Sequence, residues 1–204
     1  MKKTVFVLGC AVVFLLAACS KESATGLVLQ KHDANRMMDS MHAIMSRMEA
    51  MTMTNDPEID FGKMMTMHHQ GAINMSNAQI QAGSNDSLKR FAQKVIKDQQ
   101  SEIQQLQTIL ATQTVNNMDM EYMNEQMEGM KKMDAMMDVQ LITGNIDNDY
   151  ATLMIIHHQA AIDDASGYLH HGNNTQLKTI ANSIIKAQTT EIQELGNWLK
   201  ANKR

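Results

Sequence analysis

Cysteine, proline and aromatic residues are all scarce in this chain. Its 204 residues include two cysteines, one proline and 4% aromatic residues. Cys10 and Cys19 both lie near the N-terminus, so the rest of the chain can form no internal disulfide and no cysteine-based zinc site. The single proline, the few aromatics and the absence of alternating apolar runs favour helices over strands. A formal charge of −4 counts against nucleic acid as a partner.

The N-terminus has the pattern of an export signal. Two lysines precede a short apolar segment that ends in Leu-Ala-Ala-Cys at Cys19. The apolar segment is short for a membrane span, and its ending is typical of a bacterial lipoprotein signal. We predict a lipoprotein signal peptide over 1–18, lipidation of Cys19 and a tether over 19–30; the alternative is an ordinary secretory signal or an N-terminal membrane helix. Ser20 is compatible with the outer membrane of a double-membraned bacterium.

A polar motif occurs twice, 89 positions apart. The sequence His-His-Gln at 68–70 recurs at 157–159. Matching residues continue without a gap from 73 to 106 in the first copy and from 162 to 195 in the second. Repetition of histidine, glutamine and glutamate at equivalent helical positions indicates one site assembled from two related halves.

The pattern of caps and glycines predicts six helices in two triplets. Asp56-Pro57-Glu58 is typical of a helix start, and Gly83 and Gly172 indicate helix ends. The short turns make each flanking pair an antiparallel hairpin, so two hairpins form an all-α four-helix bundle with additional methionine-rich helices. The predicted domain covers 31–204, with repeats at about 35–112 and 124–201. The predicted helices lie near 33–53, 57–82, 86–112, 118–143, 147–171 and 174–201.

Polar side chains interrupt the apolar stripes of the predicted hairpins. Steps of three and four residues place them on the inward faces of the helices. Burying an unpaired carboxylate is expensive, so the two glutamates need partners: the inward imidazoles, the glutamine amides, a proton or a bound cation. The inward polar residues are His68, Gln99, Glu102, His157, Gln188 and Glu191.

Two interpretations of these residues remain open. They form a closed hydrogen-bond network, or they form a metal site. Adjacent histidines that are repeated on equivalent helices and opposed to repeated carboxylates favour the metal. A carboxylate that orients a ligating imidazole need not touch the ion. We therefore interpret Gln99, Glu102, Gln188 and Glu191 as supports behind the ligands.

Methionine is unusually abundant, at 21 residues. Methionine at core spacing is usually adaptable filling, which accounts for stripes such as Met38, Met41, Met45 and Met48. Several others fall off or beside those stripes. Thioethers with imidazoles suit Cu(I), and by extension Ag(I), better than Mg²⁺ or Ca²⁺. The predicted copper ligands are His68, His69, His157 and His158, assisted by Met64, Met65, Met67, Met75 and Met154.

Four further histidines are not assigned as ligands of this site. His32 and His42 lie in or near the first methionine-rich helix, where they join a peripheral copper site or remain exposed. His170 and His171 come just before Gly172, where a positive charge complements the negative end of a helix.

The repeated motif resembles the bacterial domain of unknown function 305 family. His-His-Gln-Gly-Ala-Ile over 68–73 is followed by Gln-Gln-Ser-Glu-Ile over 99–103, and the second copy occupies 157–162 and 188–192. The resemblance covers roughly 31–200. It implies a ferritin-like fold and, because the family includes exported proteins that bind copper and protect against it, periplasmic copper binding. Family membership alone fixes no function.

The second copy departs from the family pattern at one position. The family often has methionine shortly after the histidine pair, which Met75 matches and Asp164 does not. The resemblance therefore implies that the second half-site is weaker or binds differently.

We predict a lipid-anchored envelope protein, facing the periplasm, that binds Cu(I) with Ag(I) as a substitute and buffers the ion or hands it over. Its partners are the metal ion, the membrane and a copper-transfer protein, and the sequence leaves room for a homo-oligomer. We do not expect an enzyme. One rival is a ferritin-like metal-dependent oxidoreductase, but the repeated sites lack the Glu-x-x-His motifs of such centres. The other is a structural envelope protein with a buried polar network.

Overall fold

Six α helices account for most of the chain in the computed structural model, which describes residues 30–202. A one-turn 3₁₀ helix over His32–Ala34 precedes them. No strand occurs within these residues, and the prediction of an all-α fold is confirmed. The helices are α1 (Arg36–Glu49), α2 (Pro57–Ala82), α3 (Asp86–Leu110), α4 (Met120–Asp138), α5 (Ile146–His171) and α6 (Thr175–Ala201).

Each of the six α helices begins at an asparagine or aspartate cap. In each case the side-chain oxygen accepts a hydrogen bond from a backbone N–H of the first turn, which otherwise has no partner. Pro57 follows its cap at the first helical position, as predicted. The capping residues are Asn35, Asp56, Asn85, Asp119, Asn145 and Asn174.

The methionine-rich helices α1 and α4 are shorter than the predicted 33–53 and 118–143. Both end early because the segment that follows is held by the next helix. The backbone N–H groups of Thr54 and Thr143 each donate to an aspartate in the first turn ahead, Asp60 and Asp149, at 2.9 Å. The residue after each threonine adopts a left-handed conformation, with φ of 62° at Asn55 and 72° at Gly144.

Gly83 and Gly172 end α2 and α5 as predicted, although not through a left-handed conformation. Their φ angles are −65° and −70°, values open to any residue. Glycine is required by close approach instead. A Cβ atom at either position would collide with the side chain of the residue four positions earlier, Gln79 or Tyr168.

Those two side chains belong to a reciprocal contact between the halves. At the start of α2, Glu58 accepts hydrogen bonds from the Tyr168 hydroxyl at 2.6 Å and from the backbone N–H groups of Asn173 and Asn174 at 2.7 and 3.1 Å. The first half thereby fixes the turn between α5 and α6 of the second half.

The equivalent carboxylate of the second half makes the return contact. Asp147 accepts from Gln79 Nε2 at 2.6 Å, from the Ser84 hydroxyl at 2.6 Å and from the backbone N–H groups of Ser84 and Asn85. These bonds hold the turn between α2 and α3. Each hairpin therefore needs the other to satisfy its own turn.

Helices α2 and α5 run antiparallel and form the centre of the molecule. Near one end Phe61 stacks on Tyr168 with ring centroids 4.2 Å apart, and near the other Ser76 lies 2.9 Å from the hydroxyl of Tyr150. Helix α3 packs on α2, α6 on α5, α1 mainly on α2, and α4 on α5. The contact between α3 and α6 is less extensive than the contact of either helix with its own hairpin partner. The ferritin-like four-helix bundle therefore stays a prediction.

The predicted signal peptide over 1–18, the lipidated Cys19 and the tether over 19–30, apart from Gln30, lie outside the described residues. The backbone N–H of Gln30 donates to the carbonyl of Ile142 at 2.7 Å, beside the turn that leads into α5. Between residues 30 and 202, no helix combines the length and apolar character that crossing a bilayer requires.

Replacing Asp147 by asparagine should destabilise the fold. The new amide would turn a donor toward the Ser84 hydroxyl and N–H, which now donate to a carboxylate oxygen. A buried hydrogen bond to a charged group contributes about 2 kcal/mol, so the free energy of unfolding in urea should fall by about that amount. Glu128→Gln, an exposed change on α4, is the control. Equal stability of the two variants would contradict the structural role of Asp147.

Candidate metal centre

The four repeated histidines lie in the middle of α2 and α5, between the two ends described above. His68 and His157 face each other across the helix interface, with ring centroids 3.8 Å apart. His157 and His158 lie 6.2 Å apart by the same measure. All four side chains are buried, the most exposed being His68 at 3%. The antiparallel crossing of two equivalent helices thus brings together the histidines that the sequence separates by 89 positions.

The second histidine of each pair contacts the glutamate of its own hairpin. His69 Nε2 lies 2.7 Å from Oε2 of Glu102, and His158 Nε2 lies 3.0 Å from Oε2 of Glu191. Of the partners considered for the glutamates, these two histidines, rather than His68 and His157, are the ones present. Consecutive helical residues point about 100° apart, so one imidazole of each pair faces the opposing half and the other faces its own hairpin.

The two glutamates differ in their other contacts. Glu191 Oε1 accepts a hydrogen bond from Nζ of Lys94 at 2.6 Å. Lys94 lies in the first half, and its equivalent in the second half is Ser183. Burial alone would raise the pKa of Glu191, but the contacts with His158 and Lys94 hold it below its usual value. Among the described residues, no lysine or arginine pairs with Glu102.

Among residues 30–202, His68 and His157 find no hydrogen-bond partner for either ring nitrogen. Burial holds the pKa of both imidazoles well below the usual value, and nearby histidines add to the effect. Both rings are therefore neutral at pH 7, and each keeps a nitrogen lone pair. A neutral imidazole with a free lone pair is the form that binds a metal ion.

The side-chain amides of Gln99 and Gln188 also lack partners. Both residues are buried, and neither Oε1 nor Nε2 makes a hydrogen bond within the described residues. Each unmet buried polar group costs about 1–3 kcal/mol. Two rings and two amides without partners therefore do not fit a closed network that exists only to stabilise the fold.

No three His, Cys, Asp or Glu side chains within residues 30–202 converge so as to hold a metal ion. The interior histidines thus act as pairs rather than as a cage of nitrogen and oxygen donors. A centre built on His68 and His157 would take its further ligands from sulfur, and imidazole with thioether is a soft ligand set.

The predicted methionine ligands divide into separate groups. Met64, Met75 and Met154 are buried in one apolar cluster, together with residues of α1 and α4. Met65 belongs to a second cluster with Phe61 and Leu106. Met67 is half-buried. Met64 is the one of these five that shares a cavity with His68.

That cavity lies beneath α4 and has a volume of about 90 Å³. We call it the α4 cavity. Helix α4 forms one wall, α2 and α5 form the others, and Met48 of α1 contributes to the lining. Its imidazole and thioether groups belong to His68, Met48, Met64, Met130, Met133 and Met136.

Two of those methionines were missed as inward residues. Met133 and Met136 fall beside the predicted stripe, yet Met133 is buried and both line the α4 cavity. The repeat carries a signal that could have identified Met133, because its equivalent in the first half is the apolar Ile44.

Asp164 also lines the α4 cavity, at the position where the first half has Met75. Its Oδ1 accepts hydrogen bonds from Nε2 of Gln126 and from the hydroxyl of Tyr122, the latter at 3.4 Å. Burial raises the pKa of Asp164 to about 7, although the bonds from Gln126 and Tyr122 oppose the rise. The polar contacts of Asp164 in the second half thus replace the apolar packing of Met75 in the first half.

The remaining histidines lie away from this centre. His32 Nε2 is 2.8 Å from the carbonyl oxygen of Gln140, and His42 is half-exposed. His170 is exposed, as a helix-end residue would be. His171 Nδ1 lies 2.9 Å from Oδ2 of Asp119, and this hydrogen bond raises the pKa of His171.

Comparison with known proteins identifies solved structures that are similar to about 72% of this chain. The Cu(I)-bound form of CopM is 27% identical, with a TM-score of 0.54, covering 72% of this chain and 98% of CopM. The Ag-bound form obtained by soaking is 26% identical, with a TM-score of 0.56, and the match covers 72% of this chain and 97% of CopM. The Cu(II)-bound form is 28% identical, with a TM-score of 0.55, and the match covers 71% of this chain and 98% of CopM. No curated protein matches the chain.

A family model described as "Domain of unknown function (DUF305)" matches the chain twice. The matches cover residues 14–110 and 111–199, so each includes one histidine pair with its glutamate. Together they span most of the sequence. The chain belongs to the DUF305 family.

Proposed function

We propose that this protein binds Cu(I), with Ag(I) as a substitute, at the interface of α2 and α5, and that it buffers the ion or passes it to another protein. The observation that carries the proposal is the facing pair His68 and His157. These rings lie 3.8 Å apart, are neutral because of burial, and have no hydrogen-bond partner in the described part of the chain.

The chemistry of the interior suits a soft monovalent ion. Cu(I) accepts neutral imidazole and thioether ligands, and a single positive charge is less costly to bury than a double one. Glu102 contributes a carboxylate that no lysine or arginine pairs with among the described residues. Its negative charge would partly offset that of the ion, while its contact with His69 holds that ring in place.

Solved relatives support copper and silver as the ions. CopM has been crystallised with Cu(I), with Cu(II) and with Ag. Ag(I) resembles Cu(I) in charge and in its preference for sulfur and imidazole ligands. We propose Cu(I) and Ag(I) here because His68 shares the α4 cavity with Met64 and four other methionines.

We propose the bacterial cell envelope as the location, with the domain facing the periplasm. The charged start, the short apolar segment and Leu-Ala-Ala-Cys at Cys19 support export and a lipid anchor. Ion transfer between thioethers needs no covalent catalysis, so the proposal is a binding protein rather than an enzyme. A copper-transfer protein is the partner that such an activity requires.

The rival functions make different demands on metal titration. A ferritin-like oxidoreductase would bind Fe(II) tightly and consume oxygen, which requires several carboxylates around the metal. A structural protein would take up no soft metal under reducing conditions. Anaerobic titration of residues 20–204, which lack the Cys19 thiol, with Cu(I), Ag(I) and Fe(II) separates the three, and we expect uptake of Cu(I) and Ag(I).

Replacing both facing histidines by leucine should abolish the tightest Cu(I) binding. The His68→Leu, His157→Leu variant removes the two free imidazoles without breaking any hydrogen bond, so its helicity should be unchanged. Competition with a Cu(I) chelator measures the affinity, and circular dichroism measures the helix content. The control is His170→Leu, which changes an exposed histidine. Unchanged affinity in the double variant would rule out this placement of the site.

Replacing Glu102 by glutamine should weaken Cu(I) binding without removing a ligand. The variant loses the carboxylate that contacts His69 at 2.7 Å, and loss of such a contact costs roughly 10-fold to 100-fold in metal affinity. Glu194→Gln, on the exposed face of α6, is the matched control. If both variants bind Cu(I) equally well, Glu102 has no part in the site.

Without metal, the stability of the protein should decrease as the pH falls below about 6.5. Burial lowers the pKa of His68 and His157, so below that pH the unfolded chain takes up protons that the folded chain does not. Urea unfolding from about pH 7.5 to about pH 5 should reveal a slope that shrinks in the double leucine variant. Other groups, such as Asp164, titrate in the wild type and in the variant alike, so their contributions cancel in the comparison. Parallel profiles would contradict buried neutral imidazoles.

A further inference from the structure

We propose that the α4 cavity is the route by which Cu(I) reaches and leaves the His68 and His157 pair, carried by the thioethers of α4. This inference rests on the proposed function and adds to it a direction of access. It assigns a transient binding role to Met130, Met133 and Met136, which the ligand predictions did not include.

The α4 cavity connects the thioethers with an unpartnered ligand atom. His68 is 3% exposed, lines the cavity and has no hydrogen bond to either ring nitrogen from any residue between 30 and 202. A single water needs roughly 10–15 Å³ of such space, so about 90 Å³ admits an ion with part of its hydration shell. The thioethers of the cavity walls would bind the ion in place of the waters that it loses.

His157 is covered on its other side. A Cβ atom added to Gly71 would lie 3.0 Å from Nε2 of His157 and 3.2 Å from Cγ2 of Ile44. This imidazole therefore packs tightly against α2, under α1. Of the two facing rings, His68 is the one that an ion in the α4 cavity would meet first.

The repeat explains why the cavity lies under α4. Under α1, the equivalent positions are filled by Met37 and Met75, which are both fully buried. In the second half these positions are Gln126 and Asp164, which hydrogen-bond to each other. This polar pair lies in the cavity wall, where two thioethers fill the first half.

Gly129 adds to the difference between the two halves. It lines the α4 cavity, and the equivalent residue on α1 is Ser40. A Cβ atom at Gly129 would meet nothing within 4 Å. The position is therefore free of side-chain bulk and accepts a larger residue without displacing backbone atoms.

Filling the cavity from Gly129 tests the route. Gly129→Leu places a branched side chain at the cavity and also favours helix α4, because leucine has the higher helix propensity. We expect both uptake and release of Cu(I) to slow by roughly tenfold while the equilibrium affinity stays the same. Stopped-flow transfer from a coloured Cu(I) chelator gives the rates, and equilibrium competition with that chelator gives the affinity.

A second glycine provides the matched control. Gly196 lies in α6 and likewise has nothing within 4 Å of an added Cβ atom, but it does not line the α4 cavity. Gly196→Leu should leave the rates unchanged. The Met133→Leu, Met136→Leu variant keeps the volume of the walls while removing two thioethers, and it should also slow transfer. It provides the test if Gly129→Leu fails to fold.

The outcomes separate this inference from the proposed function. Wild-type rates in both Gly129→Leu and the double methionine variant, with binding at His68 and His157 intact, would overturn the route alone. In either variant, a loss of affinity with faster release would also overturn it, because the cavity would then hold final ligands. Failure of the wild-type chain to take up Cu(I) or Ag(I) would overturn both.

Discussion

The packing of α2 against α5 is the contact on which the rest of the structure depends. It places two imidazoles against each other in the interior, where neither finds a hydrogen-bond partner among the residues that the structure describes. Such an arrangement lowers stability unless something else satisfies the nitrogens. Burial also removes the protons that would compete for the nitrogen lone pairs. The same desolvation that makes the interior costly therefore makes His68 and His157 suitable ligands.

The duplication makes this contact possible in one chain. Glu58 and Asp147 each fix the turn of the opposite hairpin, so the two halves support each other at both ends of the central pair. The histidine pairs lie between those ends, where the distance between α2 and α5 is set from both sides. The interface that contains the histidines is thereby held in place by hydrogen bonds from both halves. Helices α1 and α4 then cover α2 and α5.

Much of the fold could be predicted because local chemistry determines it. The cap before α2, the glycines after α2 and α5 and the inward stripe containing Gln99 follow from spacing and residue type. The partner of Glu102 could not be predicted, because two adjacent histidines differ by only 100° around the helix and both lie near the stripe. The ends of α1 and α4 depend on hydrogen bonds from Thr54 and Thr143 to the next helix. The α4 cavity depends on how α4 sits on α5, which periodicity does not specify.

Two of the departures from the repeat change the surroundings of the histidines. Asp164 replaces a methionine beside the α4 cavity, and Lys94, whose counterpart is a serine, pairs with Glu191 but not with Glu102. A lysine that pairs with a carboxylate offsets part of its negative charge, so an imidazole in contact with that carboxylate experiences a weaker negative field. His158 and His69 therefore have unequal electrostatic surroundings. An ion held between the halves would therefore experience a stronger field from the Glu102 side. Duplication supplied two equivalent pairs of histidines, and these few substitutions make the surroundings of the two pairs unequal.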